Sequence, residues 1–462
     1  MSKELAEFAI NYLKEKEVDY AEVRLEKSSG SGLVLNNSNL EMSGFDQTIG
    51  LGVRFIINNN LGFAAINTLE KEKIKQELEK SIMLVKKASR LSEKVLFSEN
   101  KSVKKSINIK SKQILDEEQK LEYLKEIDKL VNVNHKYFSL TEDLTEKYYI
   151  NTEGTNVTQI IPRVHFFYFL TILSGANSIQ RNLQFGSTTG FEVLKKWKLE
   201  SHLQNEIKAL KENLEKGIAC PKGELDVVFG PEVTGIATHE SIGHPYEADR
   251  IFGRESAQAG ESFVTQNMLN TKIGSEVVTA VDDPTLEGSY GYYSYDDEGI
   301  KASERVLMKN GIINEFLHDR ATSKQIGIQS NGSARASNYS VEPMVRMSNT
   351  FVKPGKNSEE DLFKEIKKGV YIKSFMEWNI DDKRFHQKYT GDEAYLIENG
   401  EITKPVKHPA IEITTPKLWS SVDMVANNLQ FFAATCGKGE PMQGIPVFTG
   451  GPSIRLRKIR MN

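Results

Sequence analysis

The chain has 462 residues, of which 39% are hydrophobic and 27% are charged, and its formal net charge is -3 at pH 7. This length predicts two or three domains, and this composition is typical of a globular protein rather than a disordered one. A charge so close to zero gives no support for nucleic-acid binding. Because the N-terminus lacks the apolar core of a secretory signal and no apolar run reaches roughly 18 residues, we expect a cytoplasmic protein without a membrane segment.

Residues 1–218 are predicted to form a domain of mixed helices and strands, an α+β arrangement. Apolar residues at helical spacing predict four amphipathic helices, over residues 3–16, 69–88, 116–131 and 194–216. Alternation predicts short strands separated by turns of Gly, Ser and Asn, over residues 21–26, 32–35, 50–57, 137–140, 146–150, 155–160 and 164–173. The segment 89–113 is rich in Ser and Lys and is predicted to be an exposed connection.

Residues 219–462 are predicted to form a second, mostly β domain that also carries a helix near residue 239. Short strands are predicted over residues 225–229, 276–281, 304–308, 312–317, 394–397, 411–415 and 454–459. Two Gly-rich stretches, 322–340 and 436–452, are predicted to be long loops, which on a β scaffold often carry function. The basic stretch 455–460 is typical of a terminal strand with one solvated face.

One stretch is unusually dense in groups that can do chemistry, because His239, Glu240 and His244 lie within six residues of a chain with eight histidines. A His-Glu pair followed by a second His on a helix is the usual arrangement for zinc beside a general base, with two residues between Glu and the second His. Here three residues intervene. A match of this kind arises by chance in about 1% of chains of this size, so a simple pair of helix-end histidines stays an alternative.

The spacing itself makes a structural prediction. Residues five apart on an α-helix are turned by about 140° and raised by about 7.5 Å, too far for two imidazoles to share one ion at about 2.0–2.1 Å. Gly243 permits an irregular backbone, and Pro245 disfavours the α conformation at His244. We therefore expect the helix to end or widen near Gly243, as a π-bulge or a C-cap, and to bring His244 back toward His239.

A protein zinc site usually takes three ligands and leaves one position for water, so a third ligand is needed. Glu247 and Asp249 are near in sequence, and Cys436 lies in a Gly-rich stretch that could present a thiolate, whereas Cys220 lies in a predicted linker. Two cysteines are too few for a disulfide framework. Taken alone, either cysteine is more often an inert buried residue.

Three further groups have both a functional and a structural interpretation. The acidic run at residues 296–298 is either a hard-cation or acid/base site or a turn that accepts N–H bonds, and we favour the turn. The Tyr-rich run at 290–295 could line a peptide groove or form one face of a packed strand. Arg335 and Arg346 could hold a peptide carboxylate or backbone, or form surface ion pairs.

Taken together, the motifs resemble the TldD/PmbA family of metalloproteases over nearly the whole chain. The segments that carry the resemblance to the family's metal site are His239-Glu240-Ser241-Ile242-Gly243-His244, Glu247-Ala248-Asp249, Cys436-Gly437-Lys438-Gly439 and Gly444-Ile445-Pro446-Val447. Further matching segments lie at residues 50–54, 296–299, 346–350 and 393–400. The resemblance implies a catalytic, TldD-like member, because a TldE/PmbA-like partner lacks the complete ligand set.

The resemblance implies that His239, His244 and Cys436 bind one zinc ion per chain and that Glu240 acts as the general base. It also implies a homodimer or a heterodimer with a TldE/PmbA-like paralogue, enclosing the site in a cavity that admits unfolded peptides such as leader peptides of antibacterial peptides or unstructured antitoxins. We therefore predict a zinc peptidase that cleaves extended polypeptides, bound as an added β-strand. The alternatives are a non-catalytic peptide-binding subunit and a zinc amidase or deacylase acting on small molecules.

Overall fold

The computed structural model describes residues 3–89, 93–175, 177–253, 255 and 260–461. Helices and strands are mixed along these ranges, so the predicted α+β class is confirmed. Within them, no helix combines the length and the apolar character needed to cross a membrane.

The first seven strands form one sheet with the spatial order β3-β2-β1-β5-β6-β4, and β7 lies beside β6. They are β1 (Tyr20–Asn36), β2 (Asn39–Ile57), β3 (Asn60–Ile66), β4 (Lys104–Asn108), β5 (His135–Asn151), β6 (Asn156–Ser174) and β7 (Asn177–Ser187). Strand β4 runs parallel to β6, and the other neighbours are antiparallel. Strand β4 also lies within the predicted exposed connection 89–113, which is therefore only partly a loop.

Several of the predicted short strands are pieces of longer ones. The Ser-Gly segment 28–32, predicted to be a turn, lies inside β1 and pairs with both β2 and β5. Its glycines serve close packing, since a Cβ at Gly30 would lie 2.7 Å from the Glu142 carbonyl oxygen. Pro162 likewise lies inside β6, at a point between the last residue paired with β4 and the first paired with β7, so no hydrogen bond is lost on that side.

Five helices accompany this sheet, and the apolar spacing predicted their positions. They are α1 (Glu4–Glu15), α2 (Lys71–Ala88), α3 (Glu117–Leu130), α4 (Leu194–Trp197) and α5 (Leu199–Lys216). The predicted helix 194–216 is therefore two helices, separated where Lys198 takes a left-handed backbone conformation with φ 49°. Asp116 caps α3 with a reciprocal capping box, so its side chain accepts a hydrogen bond from the Gln119 N–H.

Most of the regular elements in the rest of the chain are strands, as predicted. The strands are β8 (Ile218–Ala219), β9 (Gly223–Phe229), β10 (Ala280–Asp282), β11 (Arg305–Lys309), β12 (Ile312–Ile313), β13 (Ala334–Arg335), β14 (Met344–Val345), β15 (Asn349–Val352), β16 (Lys368–Ile372), β17 (Phe375–Ile380), β18 (His386–Gly391), β19 (Ala394–Glu398), β20 (Glu401–Lys407), β21 (Ala410–Thr414), β22 (Val422–Val425), β23 (Gln430–Lys438), β24 (Gln443–Gly451) and β25 (Ile454–Met461). The helices are α6 (Pro231–Thr238), α7 (Ala248–Ile251), α8 (Arg320–Gln325) and α9 (Thr415–Ser420).

These strands form three further sheets. The ten-stranded sheet has the order β17-β18-β21-β25-β9-β16-β19-β20-β8, with β22 beside β25, and the six-stranded sheet has the order β12-β11-β10-β15-β24-β23. Strands β13 and β14 form a small separate sheet. The largest apolar core packs between α6 and these sheets, and it includes Ile242, Met347 and Cys436.

The Gly-rich stretch 436–452 was wrongly predicted to be a loop, because it contains the end of β23 and all of β24, which form a hairpin. The stretch 322–340 is mostly the predicted loop, and it contains only the end of α8 and the short strand β13. Gly450 marks a close approach, because a Cβ at Gly235 of α6 would lie 3.0 Å from the Gly450 backbone nitrogen, whereas Gly439 takes a left-handed φ of 90° in the hairpin turn. Helix α6 therefore lies directly on the backbone of β24, beside the strand that carries Cys436.

Candidate metal centre

Helix α6 begins with Pro231 at its first turn, which suits the fixed φ of proline and its missing N–H. It continues as a π-helical turn over His239–Gly243 and then as a 3-10 turn over His244–Tyr246. The His244 N–H donates to the His239 carbonyl, which is the i to i+5 bond of a π-turn. The predicted widening is confirmed.

The backbone achieves this widening in a different way from the one predicted. Gly243 is right-handed with φ -57° and His244 stays in the α region with φ -60°, so Pro245 does not end the helix at His244. Gly243 is needed for space, since a Cβ there would lie 1.9 Å from the Met347 sulfur. The chain leaves the helical conformation only at Glu247, where ψ is 115°.

The widened turn brings His239 and His244 together with Cys436. The two imidazole centroids lie 4.9 Å apart, and the Cys436 Sγ lies 3.4 Å from His244 Nε2. One ligand atom from each residue lies within 4.8 Å of the other two, and all three residues are buried. The structure therefore brings together the three residues that the sequence proposed, 192 positions apart in the case of His244 and Cys436.

The three side chains fit a zinc ion. Tetrahedral zinc with Zn–N near 2.0–2.1 Å and Zn–S near 2.3 Å places its ligand atoms about 3.3–3.6 Å apart, and the spacing between Cys436 and His244 already has this value. His239 Nδ1 is buried without a hydrogen-bond partner, and burial lowers the pKa of His239, which keeps the ring neutral. Burial raises the pKa of Cys436, but His244 and Arg346 outweigh it and bring the pKa to about 7, so a thiolate forms readily.

Glu247 and Asp249, the alternative ligands, lie outside the group of three and support it instead. The Glu247 carboxylate accepts a hydrogen bond from His244 Nδ1 at 3.0 Å, which leaves Nε2 facing Cys436. Such a carboxylate behind a histidine fixes the orientation and tautomer of the ring. Burial raises the pKa of Glu247, but Lys438 and His244 hold it well below its usual value.

Lys438 is a residue whose contribution the sequence analysis missed. Its ammonium is fully buried and lies 2.7 Å from Asp249 Oδ1 and 3.2 Å from Glu247 Oε2. Lys438 follows Cys436 by two positions on β23, so both side chains lie on the same face of the strand. This strand periodicity was the available signal, and it was lost when the segment was predicted to be a loop.

Glu240, the predicted general base, lies beside the ligands and is 5% exposed. Its Oε2 accepts a charged hydrogen bond from Arg384 Nη1 at 2.5 Å. Burial raises the pKa of Glu240, but His244 and Arg384 together hold it below its usual value. The carboxylate is therefore ionised at neutral pH and able to accept a proton. Nothing in the sequence linked Arg384 to Glu240, 144 residues away.

The acidic run at residues 296–298 is the predicted turn. Asp296 accepts hydrogen bonds from the N–H groups of Glu298, Ile300 and Ala334. Its two acidic neighbours pair with cations of the seven-stranded sheet, Glu298 with Arg54 at 2.5 Å and Asp297 with Lys147 at 2.8 Å. The run therefore joins the two halves of the chain.

The two arginines singled out in the sequence are buried and donate to backbone carbonyls, so surface ion pairing is wrong for both. Arg346 donates to the carbonyls of Cys436 and Gln443, which braces the β23–β24 hairpin from one side. Arg335 donates to the carbonyls of Met347 and Pro446.

The Tyr-rich run at 290–295 lies outside the strands, so its strand alternative is wrong. Three of its tyrosines line a cavity of about 390 Å³ between the seven-stranded sheet and the β23–β24 hairpin, namely Tyr290, Tyr293 and Tyr295. Whether a peptide enters this cavity stays a prediction.

Two imidazoles, one thiolate and an adjacent carboxylate have the chemistry that suits a metal-dependent hydrolase. Models of PmbA/TldA metallopeptidases match this chain in three segments, with domain 1 at residues 21–89, the central domain at 111–211 and the C-terminal domain at 222–462. The last segment alone covers more than half of the chain. The chain belongs to the PmbA/TldD metallopeptidase family, and the resemblance seen in the motifs is confirmed.

Relatives match over almost their entire length. A metalloprotease of Methanocaldococcus jannaschii is 31% identical over 95% of this chain and 96% of its own. A zinc metalloprotease TldD homolog of Saccharolobus solfataricus is 28% identical over 97% of this chain and 98% of its own. The crystal structure of TldE from Thermococcus kodakarensis shares the fold with a TM-score of 0.76 at 19% identity, covering 99% of each chain.

Proposed function

We propose that this chain is a zinc peptidase in which His239, His244 and Cys436 hold one zinc ion and Glu240 is the general base. One observation carries the proposal. Three side chains that can bind a metal ion lie close together, and the buried, ionised carboxylate of Glu240 is beside them. The relative named as a zinc metalloprotease supports the choice of metal. Two neutral imidazoles and one thiolate leave the centre with about one positive charge, which suits the polarisation of a carbonyl.

When bound, zinc supplies a Lewis acid that polarises the peptide carbonyl and lowers the pKa of the attacking water toward 7. Glu240 accepts the proton of this water and passes it to the leaving amine nitrogen. Glu247 keeps His244 oriented by accepting a hydrogen bond from its Nδ1–H group. Because Glu240 is next to His239 in the same turn, little rearrangement is needed between the two steps.

The substrate we propose is an unfolded or extended polypeptide, bound through its backbone as an added strand. The proposal rests on the family resemblance. It includes a cytoplasmic location and assembly as a homodimer or with a TldE/PmbA-like paralogue, to which the fold shared with TldE lends support.

The test is incubation of the purified chain with a random-peptide library, with and without a metal chelator. We expect about one zinc per chain and cleavage that the chelator abolishes. The variant Glu240→Gln should keep its zinc and lose cleavage, because the amide cannot take a proton from water. Normal cleavage by this variant would rule out the proposed mechanism.

Two results would favour the alternatives. Zinc binding without cleavage, even after the addition of a paralogue, would indicate a peptide-binding subunit. Chelator-sensitive cleavage of small acylated amides but of no peptide would indicate an amidase.

A further inference from the structure

Arg384 is presented to the candidate centre by a rigid turn between β17 and β18. Its φ is 63°, a left-handed conformation that costs a residue other than glycine roughly 1–2 kcal/mol and persists only where the surroundings impose it. Asp381 imposes it by accepting hydrogen bonds from the N–H groups of Phe385 and His386, and Thr415 Oγ1 donates to the Arg384 carbonyl at 2.7 Å. The turn therefore fixes the direction of the Arg384 side chain.

The Arg384 guanidinium has more hydrogen-bond donors than its ground-state contacts use. Nη1 donates to Glu240, whereas Nε is buried and has no hydrogen-bond partner. A guanidinium carries five N–H donors in a planar fork, and a buried one without a partner is costly. The guanidinium therefore keeps a donor that none of the described contacts uses.

The same hairpin also borders the exposed surface next to Glu240. Trp378 on β17 is 41% exposed, and its side chain lies close enough to the Glu240 carboxylate to help hold the pKa of that group below its usual value. Glu240 itself is almost completely buried. Trp378 and Arg384, which belong to the same hairpin, therefore both lie beside Glu240.

We propose that Arg384 is a catalytic residue that donates a hydrogen bond to the oxyanion formed during peptide cleavage, an inference that rests on the proposed function. Before the reaction its positive charge pairs with ionised Glu240. When the water oxygen bonds to the carbonyl carbon, the C=O π pair moves to the carbonyl oxygen and the water proton moves to Glu240. Glu240 is then neutral, and the guanidinium pairs with the new oxyanion.

The second half of the reaction reverses this exchange. Glu240 gives its proton to the amine nitrogen, the C–N bond breaks, and the oxyanion pair forms the C=O bond of the new carboxyl group. Arg384 then pairs again with ionised Glu240. The guanidinium thus pairs first with Glu240, then with the oxyanion and then with Glu240 again. Its contact with the oxyanion stabilises the transition state more than the bound substrate.

The contact with the general base favours this role over a clamp for a peptide's terminal carboxylate. A group within 2.5 Å of Glu240 lies beside the atoms that react, whereas the C-terminus of a long peptide lies several residues away. If Arg384 is a clamp, its loss should raise KM only for peptides with a free C-terminal carboxylate. If Arg384 stabilises the oxyanion, its loss should affect free-acid and amidated peptides alike.

The test compares Arg384→Gly with Lys383→Ala, both in zinc-loaded full-length protein. Glycine accepts the left-handed backbone at this position, so the variant removes the guanidinium without straining the turn. Lys383 precedes Arg384 in the same turn, and its ammonium lies 3.5 Å from the exposed Glu261 carboxylate, which makes it a matched control. We expect Arg384→Gly to keep its zinc and to lose about 100-fold or more in kcat on a quenched fluorescent peptide pool, with KM little changed.

Added guanidinium, at concentrations that do not unfold the chain, should restore part of the kcat of Arg384→Gly and none in Lys383→Ala. A rise in KM confined to peptides with a free C-terminal carboxylate would overturn the proposal in favour of a clamp. Loss of zinc from Arg384→Gly would overturn it in favour of a structural role.

A second measurement does not need turnover. A phosphinic pseudopeptide mimics the tetrahedral oxyanion, and we expect Arg384→Gly to weaken its binding to zinc-loaded protein about 100-fold while the affinity for an uncleaved peptide of the same sequence changes little. Equal weakening of both ligands would contradict the role of Arg384. Absence of chelator-sensitive cleavage by the unmodified chain, both alone and with a TldE/PmbA-like paralogue, would instead contradict the proposed function, so the two failures are distinguishable.

Discussion

At the scale of single residues, the candidate metal centre depends on groups that do not themselves belong to the ligand set. Glu247 orients His244, and Lys438 neutralises Glu247 and Asp249 in a fully buried position. Removing one partner from such a buried ionic group leaves an uncompensated charge, whereas the intact group holds its geometry firmly. Removing Glu247 should therefore also disturb the position of the proposed ligand His244.

The variant Glu247→Ala tests this dependence. His244 Nδ1 then has no carboxylate acceptor, and we expect zinc affinity to fall about 10–100-fold. Competition with a chromogenic chelator measures the affinity. Glu412→Ala is the control, because Glu412 is exposed and its nearest cation, Lys388, lies 3.9 Å away. Equal affinity of the two variants would show that Glu247 does not position His244.

A second residue-scale prediction concerns pH. Asp392 is fully buried, both carboxylate oxygens have no hydrogen-bond partner, and burial raises its pKa to about 7. A carboxyl whose pKa is raised in the folded state contributes stability that is complete below its unfolded pKa of about 3.9 and is lost as pH rises through the folded pKa. The folded chain therefore loses this contribution as pH rises through about 7.

We expect Asp392→Asn to stabilise the chain at pH 8, on the order of 2 kcal/mol, and to have much less effect at pH 5. Thermal unfolding at the two pH values measures the difference. Asp382→Asn, an exposed acid of the β17–β18 turn, should show no such dependence. A destabilised Asp392→Asn at pH 8 would mean that the carboxylate has a charged partner.

At the scale of elements, the extra residue of the His-Glu motif is accommodated by a π-turn that packs on Met347. The turn keeps right-handed backbone angles throughout, so its width comes from the i to i+5 hydrogen bond between His239 and His244. The absence of a side chain at Gly243 lets Met347 approach. The same turn therefore determines both the packing against Met347 and the relative positions of His239 and His244.

The variant Gly243→Ala separates these two contributions. Its Cβ would overlap the Met347 sulfur, and we expect the turn to shift, with a loss of about 1–3 kcal/mol in stability and of most zinc binding. Adding Met347→Ala should restore part of the zinc binding, because it opens the space that the new methyl group needs. Zinc content and thermal unfolding are the measurements. Unchanged zinc binding in Gly243→Ala alone would show that the turn tolerates the shift.

The sequence predicted helices far better than it predicted the elements around the centre. Helices such as α2 and α3 have local apolar spacing that is sufficient to place them. The β23–β24 hairpin was missed because two of its glycines, Gly450 and Gly451, lie against α6, which is distant in sequence. The strand pattern of β23 could have placed Lys438 on the same face as Cys436, but its pairing with Asp249 and the pairing of Arg384 with Glu240 depend on tertiary packing.

At the scale of the whole molecule, buried ion pairs join the seven-stranded sheet to the later half of the chain. Arg181 donates to Glu232 of α6 at 2.7 Å, and Arg54 and Lys147 pair with the acidic turn at residues 296–298. The element that carries His239 is therefore held from both halves. The division into domains at residues 218 and 219 stays a prediction.

The central claim is that two histidines and one cysteine hold a single zinc ion, and X-ray absorption of the zinc-loaded chain tests it most directly. The account predicts two nitrogen scatterers at about 2.0–2.1 Å, one sulfur at about 2.3 Å and one lighter oxygen ligand. In Cys436→Ser the sulfur scatterer should disappear. A zinc spectrum without sulfur in the unmodified chain, or one unchanged by Cys436→Ser, would contradict the account.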